Sequence, residues 1–196
     1  STLRLFDAHG NMLSGSVPFN LWTNLTSLED LYLQNNVLSG TLKSDICMLR
    51  SLKRVYLASN YLEGSLPNLS CLSSLEVLVL LGNNFDMIRT NTFHGLSQLS
   101  VLNIAAQNIY NILELEEAAF SGTSAEVVLS GCTIPYLPSN LFAQSNRTYF
   151  DLKNLGITSD HEHVAENVTD GDLVVYSSAV SQENPEIVEA KGKAIP

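Results

Sequence analysis

Apolar residues recur along the chain on one template: eight, five and three places before an Asn, and again two places after it. Around Asn11 they are Leu3, Phe6, Ala8 and Leu13; around Asn36, Leu28, Leu31, Leu33 and Leu38. Around Asn60 they are Leu52, Val55, Leu57 and Leu62; around Asn83, Leu75, Leu78, Leu80 and Phe85. Three degenerate copies follow, with the anchor taken by Gln107 (Leu99, Leu102, Ile104, Ile109), Cys132 (Val127, Leu129, Ile134) and Leu155 (Phe150, Leu152, Ile157). The anchors are separated by 25, 24, 23, 24, 25 and 23 residues, and a near-constant period of this size marks a solenoid of stacked coils. Each copy predicts a short strand whose alternate residues point into the coil, then a turn and a return segment. One coil cannot bury its own apolar edge, so about seven coils share a continuous core. The anchor Asn falls at the turn after the strand. There its amide can donate to a backbone carbonyl and accept from a backbone N–H, satisfying groups that would otherwise be buried unpaired. Cys132 and Leu155 cannot do this, so looser turns are expected toward the C-terminus.

The first three copies continue as Leu13-Ser14-Gly15-Ser16-Val17-Pro18, Leu38-Ser39-Gly40-Thr41-Leu42 and Leu62-Glu63-Gly64-Ser65-Leu66-Pro67. This resembles the plant-type extracellular leucine-rich repeat, LxGxIP, of receptor-like ectodomains and secreted inhibitors. Gly permits a turn with φ > 0, and the next apolar residue is expected to begin a second short strand on a side face. From Asn83 onward the pattern shifts to Ile88 with Phe93 and Leu96, then Leu137-Pro138 with Phe142, similar to the "typical" subclass of cell-surface repeats in which the Phe fills the convex side. The resemblance implies an α/β solenoid, a leucine-rich-repeat coil with a parallel β-sheet on its concave face. It covers residues 1–157 and leaves a non-repeat C-terminal arm at 158–196. A scaffold of this type binds peptides, proteins, hormones and glycans alike, so function has to be argued from the surface.

On the concave sheet the solvent-facing positions lie between the inward ones. One column reads Asp7, Tyr32, Tyr56, Val79, Asn103, Val128 and Asp151; its neighbour reads Leu5, Asp30, Arg54, Val77, Val101, Glu126 and Tyr149. Strands about 4.8 Å apart bring Tyr32 and Tyr56 together as stacked neighbours. Val77, Val79, Leu81 and Val101 form an apolar patch rimmed by charge, the pattern of a partner surface. The residues assigned to it are Asp30, Tyr32, Arg54, Tyr56, Val77, Val79, Val101 and Asn103. The plain alternative is that parallel sheets favour Val and Tyr anyway.

Charge changes the picture in two ways. Lys and Arg number 10 against 20 Asp and Glu, giving net charge −10, and mean hydropathy is +0.10. No basic stripe exists to displace counterions from a nucleic acid, and an anionic membrane surface is disfavoured for the same reason. The longest apolar run, Val77 to Leu81, is far short of the ~20 residues a spanning helix needs. The arm holds eight acids against Lys191 and Lys193, so it reads as solvated. Within it Asp170 to Tyr176 reads as a turn and a strand at 172–176, whose Val174, Val175 and Tyr176 could pair along a neighbour's edge. The chain starts inside a repeat with no cap sequence before it. It therefore reads as a piece of a longer array, or as a subunit whose open ends meet head to tail.

Candidate chemistry is sparse. There is no Gly-rich phosphate loop, no GxSxG elbow and no metal-spaced cysteine pair, and neither an enzymatic activity nor a cofactor is assigned. His161-Glu162-His163, with Asp160 and Glu166, lies in acidic irregular sequence, and no metal site is assigned there. Cys47 and Cys71 each lie eleven residues after their anchors, which puts them within disulfide reach in adjacent coils. Counted from the following anchor they are one place out of step, which favours two separate buried thiols. Four N-glycosylation sequons start at Asn24, Asn68, Asn146 and Asn167, all outside the inner strands. With the plant-type repeats they favour an extracellular or cell-surface location. The expected function is a non-catalytic recognition module binding a protein or glycan through its concave face. The alternative is a structural subunit that assembles with copies of itself.

Overall fold

The computed structural model describes residues 2–107, 112–138, 141 and 150–151, and within them the chain coils as a parallel β-solenoid. The concave sheet has seven strands: β1 (Leu5–Asp7), β3 (Asp30–Tyr32), β5 (Arg54–Tyr56), β7 (Val77–Val79), β9 (Val101–Asn103), β11 (Glu126–Val128) and β12 (Phe150–Asp151). Each pairs in parallel with the next in that order, so Phe6, Leu31, Val55, Leu78, Leu102 and Val127 form one inward row. From Leu31 onward this row is completely buried, and its flanking residues face out. A second sheet on the side of the coils comprises β2 (Ser14–Gly15), β4 (Val37–Thr41), β6 (Tyr61–Ser65), β8 (Asn84–Ile88) and β10 (Glu114–Leu115).

The anchor residues stitch coil to coil. Asn60 Nδ2 donates to Leu57 O in its own coil (3.0 Å) and to Leu33 O in the preceding one (3.0 Å), while its Oδ1 accepts Leu38 N–H (3.0 Å). Asn36 does the same with Leu33 O, Ala8 O and Leu13 N–H, and Asn83 with Leu80 O, Leu57 O and Leu62 N–H. Gln107, one methylene longer, reproduces the set with Ile104 O, Leu80 O and Phe85 N–H. Each accepted N–H belongs to the residue two places after the preceding anchor. One side chain thus serves both sheets and two coils. Cys132 was not expected to reproduce the amide's paired bonds, and its thiol supplies one of them, donating to Ile104 O across the coil boundary at 3.3 Å. Burial pushes this thiol's pKa up and keeps it in the donating form. The Leu155 anchor lies outside the described residues.

The residue before each anchor makes the turn. Gly10, Asn35, Ser59, Gly82, Ala106 and Gly131 all have φ between 49° and 72°. This left-handed step swings the anchor side chain inward and suits Gly and Asn, while Ser59 and Ala106 adopt it at a steric cost.

An α/β solenoid was the expectation, but the described residues hold no α-helix. The return segments carry only 3-10 turns, at Phe19–Leu21 and Ser44–Met48. The reason lies in an apolar period of three: Phe19, Trp22, Leu25, Leu28; Ile46, Leu49, Leu52; Leu69, Leu72, Leu75; Phe93, Leu96, Leu99. In each series the N–H of one apolar residue donates to the carbonyl of the one three before it, as from Leu49 to Ile46 and from Leu52 to Leu49. Three residues per turn is the 3-10 repeat, which keeps every third side chain on one face. An α-helix would rotate them off it.

The side sheet also departs from expectation. Its strands run through Gly40 and Gly64 instead of starting after them. Gly64 has φ +75°, a conformation that favours glycine, and a Cβ there would also sit tightly, 3.1 Å from Thr41 Cγ2. The sheet continues past the change of subclass, with a register shift at Gly64/Ser65 where β8 has an extra residue. On the convex side Phe93 stacks on Phe120, with ring centroids 5.7 Å apart and planes 3° from parallel. Phe6, Trp22 and Phe19 cluster under the first coil. Phe142 lies outside the described residues, as do the arm at 158–196 with Val174, Val175 and Tyr176, and the sequons at Asn146 and Asn167.

Cys47 and Cys71 are joined by a disulfide, with Cα atoms 5.6 Å apart. This corrects the reading as two buried thiols. The shortened third repeat does set the two one place out of step, but adjacent coils are close enough for a diagonal bridge. Both residues are half-buried on the convex side.

Two stability predictions follow from these links. Asn60→Ala leaves the buried Leu38 N–H without its acceptor and takes one of two amide donors from each of Leu33 O and Leu57 O, which keep Asn36 and Asn83. It is expected to lower the unfolding free energy by about 2 kcal/mol, against about 1 for Cys132→Ala, in urea titrations. Cys47→Ser removes a cross-link whose ends are separated by 24 residues and is expected to cost about 3 kcal/mol, matched by reducing the wild type.

Candidate functional site: the concave face

Strand pairing places the eight surface residues singled out from the sequence side by side. Asp30, Arg54, Val77 and Val101 occupy one column; Tyr32, Tyr56, Val79 and Asn103 occupy the next. Each flanks a fully buried core residue and is itself half-buried, because neighbours 4.8 Å away on either strand shield its stem.

The columns divide into a polar and an apolar half. On β3 and β5, Arg54 grips Asp30 in a two-pronged pair, Nε to Oδ1 at 2.6 Å and Nη2 to Oδ2 at 2.8 Å. Asp30 is 15% exposed and Arg54 44%, so the carboxylate is the sheltered member and the guanidinium edge faces out. The hydrogen bond to Asp30, then its charge, holds the Arg54 pKa above its usual value, with smaller help from Tyr32. A pair satisfied within the protein offers shape and a fixed dipole, not a free charge. Beside it Tyr32 and Tyr56 meet with centroids 5.1 Å apart and planes at 63°. The expectation of stacked rings is therefore corrected to an edge-on contact, the geometry that the ring quadrupole favours.

On β7 and β9, Val77, Val79 and Val101, with Leu81 just beyond, make the apolar half. Asn103 closes it, its Oδ1 accepting Ala105 N–H at 3.1 Å. At the strand entrances Glu29 takes Lys53 at 3.1 Å and Arg4 at 3.5 Å, a rim ladder of exposed pairs worth little individually. At the first coil His9 Nδ1 donates to Asp7 Oδ1 at 2.6 Å, and His9 N–H adds a second bond at 3.1 Å. These bonds hold the Asp7 carboxyl below the ordinary value of 3.8.

One residue escaped the sequence reading. Gln34, two places beyond Tyr32, carries the sole buried side-chain oxygen among the described residues that has no hydrogen-bond partner. Only its position in the repeat, next to the anchor turn, could have drawn attention to it. Among the described residues no group of three His, Cys, Asp or Glu could hold a metal, and no helix is long and apolar enough to cross a membrane.

No protein-family model matches the chain. Curated relatives match short stretches. The UDP-N-acetylmuramate–L-alanine ligase of Persephonella marina is 45% identical over 53 residues, which is 27% of this chain and 12% of the ligase. That of Sulfurihydrogenibium sp. is 53% identical over 45 residues, 23% of this chain and 10% of the ligase. The chain thus spans 10–16% of the length of such relatives. Among solved structures, the leucine-rich-repeat ectodomain of the receptor kinase SOBIR1 from Arabidopsis thaliana superposes with TM-score 0.50 at 25% identity, over 65% of this chain and 68% of its own. The plant peptide hormone receptor RGFR1, in complex with RGF2, gives TM-score 0.54 at 21% identity over 78% of this chain and 28% of its own. The ectodomain of GASSHO1/SCHENGEN3 from Arabidopsis thaliana, in complex with CASPARIAN STRIP INTEGRITY FACTOR 2, gives 0.50 at 22% over 77% and 24%. The fold defined by the coils and their ladder is a leucine-rich-repeat β-solenoid, and it is the fold of these plant receptor ectodomains.

The Asp7–His9 pair gives a prediction with a definite sign. A carboxylate whose folded pKa is lowered stabilises the fold above its ordinary value and loses that contribution as pH falls through the folded value. The Asp7 side-chain carbonyl signal in NMR is expected to titrate below 3.8, and to move up toward it in His9→Ala.

Proposed function

We propose that the chain is a non-catalytic recognition module that binds an extended segment of a protein or peptide partner across its concave face, outside the cell or at its surface. The observation that carries this is the division of the face. An edge-on Tyr pair and a self-satisfied Asp30–Arg54 clamp lie next to an unbroken Val77–Val79–Val101 patch, all on strands in fixed register. Apolar residues bounded by satisfied polar groups desolvate cheaply, and aromatic side chains anchor a partner with little loss of side-chain freedom. The likeness to receptor ectodomains, two of them in complex with RGF2 and CASPARIAN STRIP INTEGRITY FACTOR 2, supports a peptide or protein over a glycan. The Cys47–Cys71 disulfide supports an oxidising compartment, and the sequons at Asn24 and Asn68 fall on exposed return segments where a glycan clears the sheet.

Selection of a linear-peptide phage library on the native protein tests this reading. Selected peptides are expected to lose at least about tenfold in affinity on Tyr56→Glu combined with Val79→Glu, by placing two charges in the desolvated centre. Peptides that bind both proteins equally would remove the concave face from the argument. Light-scattering mass over a dilution series, showing large assemblies that persist in the same variant, would favour the assembly reading instead.

A further inference from the structure

The side sheet has an outer face that the proposed recognition surface does not use. Alternation along β4 and β6 buries Leu38 and Leu62 and turns Val37, Tyr61 and Glu63 outward. Tyr61 is 57% exposed, and Ile112, beyond β8, is 47% exposed. On this sheet a groove of about 420 Å³ is lined by Ser65, Asp86, Met87, Arg89, Ile112 and Glu114. The apolar lining of the groove comes from half-buried Met87 and exposed Ile112, and Tyr61 adds a further exposed aromatic on β6 of the same sheet.

Charge selects the occupant. Arg89 lies 3.9 Å from Glu116, whose carboxylate also accepts Thr90 N–H at 2.8 Å, so the groove's one cation is already matched. Glu63, Asp86 and Glu114 have no ion pair among the described residues and stand between the apolar side chains. From β4 to β10 is three strand spacings, about 15 Å, the reach of four to five extended residues at about 3.3 Å each.

We propose that this outer face is an interaction surface for an extended basic segment of a partner protein in which Lys or Arg alternates with apolar residues. The apolar side chains lie on Tyr61, Met87 and Ile112, and the cations meet Glu63, Asp86 and Glu114. This surface lies on a different sheet from the concave face and does not depend on it.

Fluorescence anisotropy on the full chain tests this, with a labelled peptide alternating Lys and Val and its Glu–Val counterpart as probes. The Lys–Val peptide is expected to bind, to weaken with salt, and to lose at least about tenfold in affinity on Asp86→Lys combined with Glu114→Lys. Tyr61→Ala, which changes no charge, is expected to weaken it as well. These positions are exposed, and circular dichroism confirms that the variants fold. Equal binding of the Glu–Val peptide, or indifference to the charge reversals, overturns the proposal. Loss through Tyr56→Glu moves the probe to the concave face, with the same consequence. Self-association that the charge reversals abolish gives the surface to a second copy, and that also overturns it.

Discussion

The solenoid depends on one buried side-chain amide per coil. Where the concave strand ends, the chain turns sharply inward toward the side sheet, and the turn strands carbonyls and an N–H in an interior lined by leucine. A buried backbone group without a partner costs about 1–3 kcal/mol, so one carbonyl and one N–H per coil would cancel much of what the leucines supply. The anchor amide answers its own coil's carbonyl together with the carbonyl and N–H of the preceding coil in one planar group, and so it also fixes the stacking. The inward leucine rows, the common register of both sheets and the positions of the surface columns follow from that link.

Much of this was legible in the chain because a parallel stack converts sequence spacing directly into spatial register. Counting from the anchors is enough to place Tyr32 beside Tyr56 and Arg54 beside Asp30, and the pairing of β3 with β5 has that register. Counting says nothing about torsions, which is why the Tyr rings meet edge-on and why the Asp30–Arg54 pair emerges only with side chains in place. The return segments were misjudged for a different reason. Their period of three was present in Ile46, Leu49 and Leu52, but the family resemblance drew the reading toward helix. The disulfide turned on a one-residue offset that a bridge between half-buried convex residues absorbs and a packed core would not. Gln34 was invisible because an unpartnered oxygen is defined by its surroundings, not by its residue type.

The two outward faces differ in physical character. On the concave side, charges are paired within the protein and the centre is aliphatic and aromatic, so association there is governed by shape and desolvation. On the side sheet, carboxylates alternate with large apolar groups, so association is steered by field and sensitive to salt. One rigid frame holds both. The side sheet runs on past the change of repeat subclass through the register shift between β6 and β8, so the two faces extend along the same coils.

The anchor series Asn36, Asn60, Asn83, Gln107, Cys132 is uneven along its length. Four amides each tie their coil to the one before, and then a thiol contributes one long bond. In a one-dimensional stack, cooperativity is only as strong as the poorest nearest-neighbour seam. Among the described residues, the seam between the Gln107 and Cys132 coils is the one with a single anchor bond across it. The amide-stitched coils on its N-terminal side are the ones that carry the tyrosines and valines.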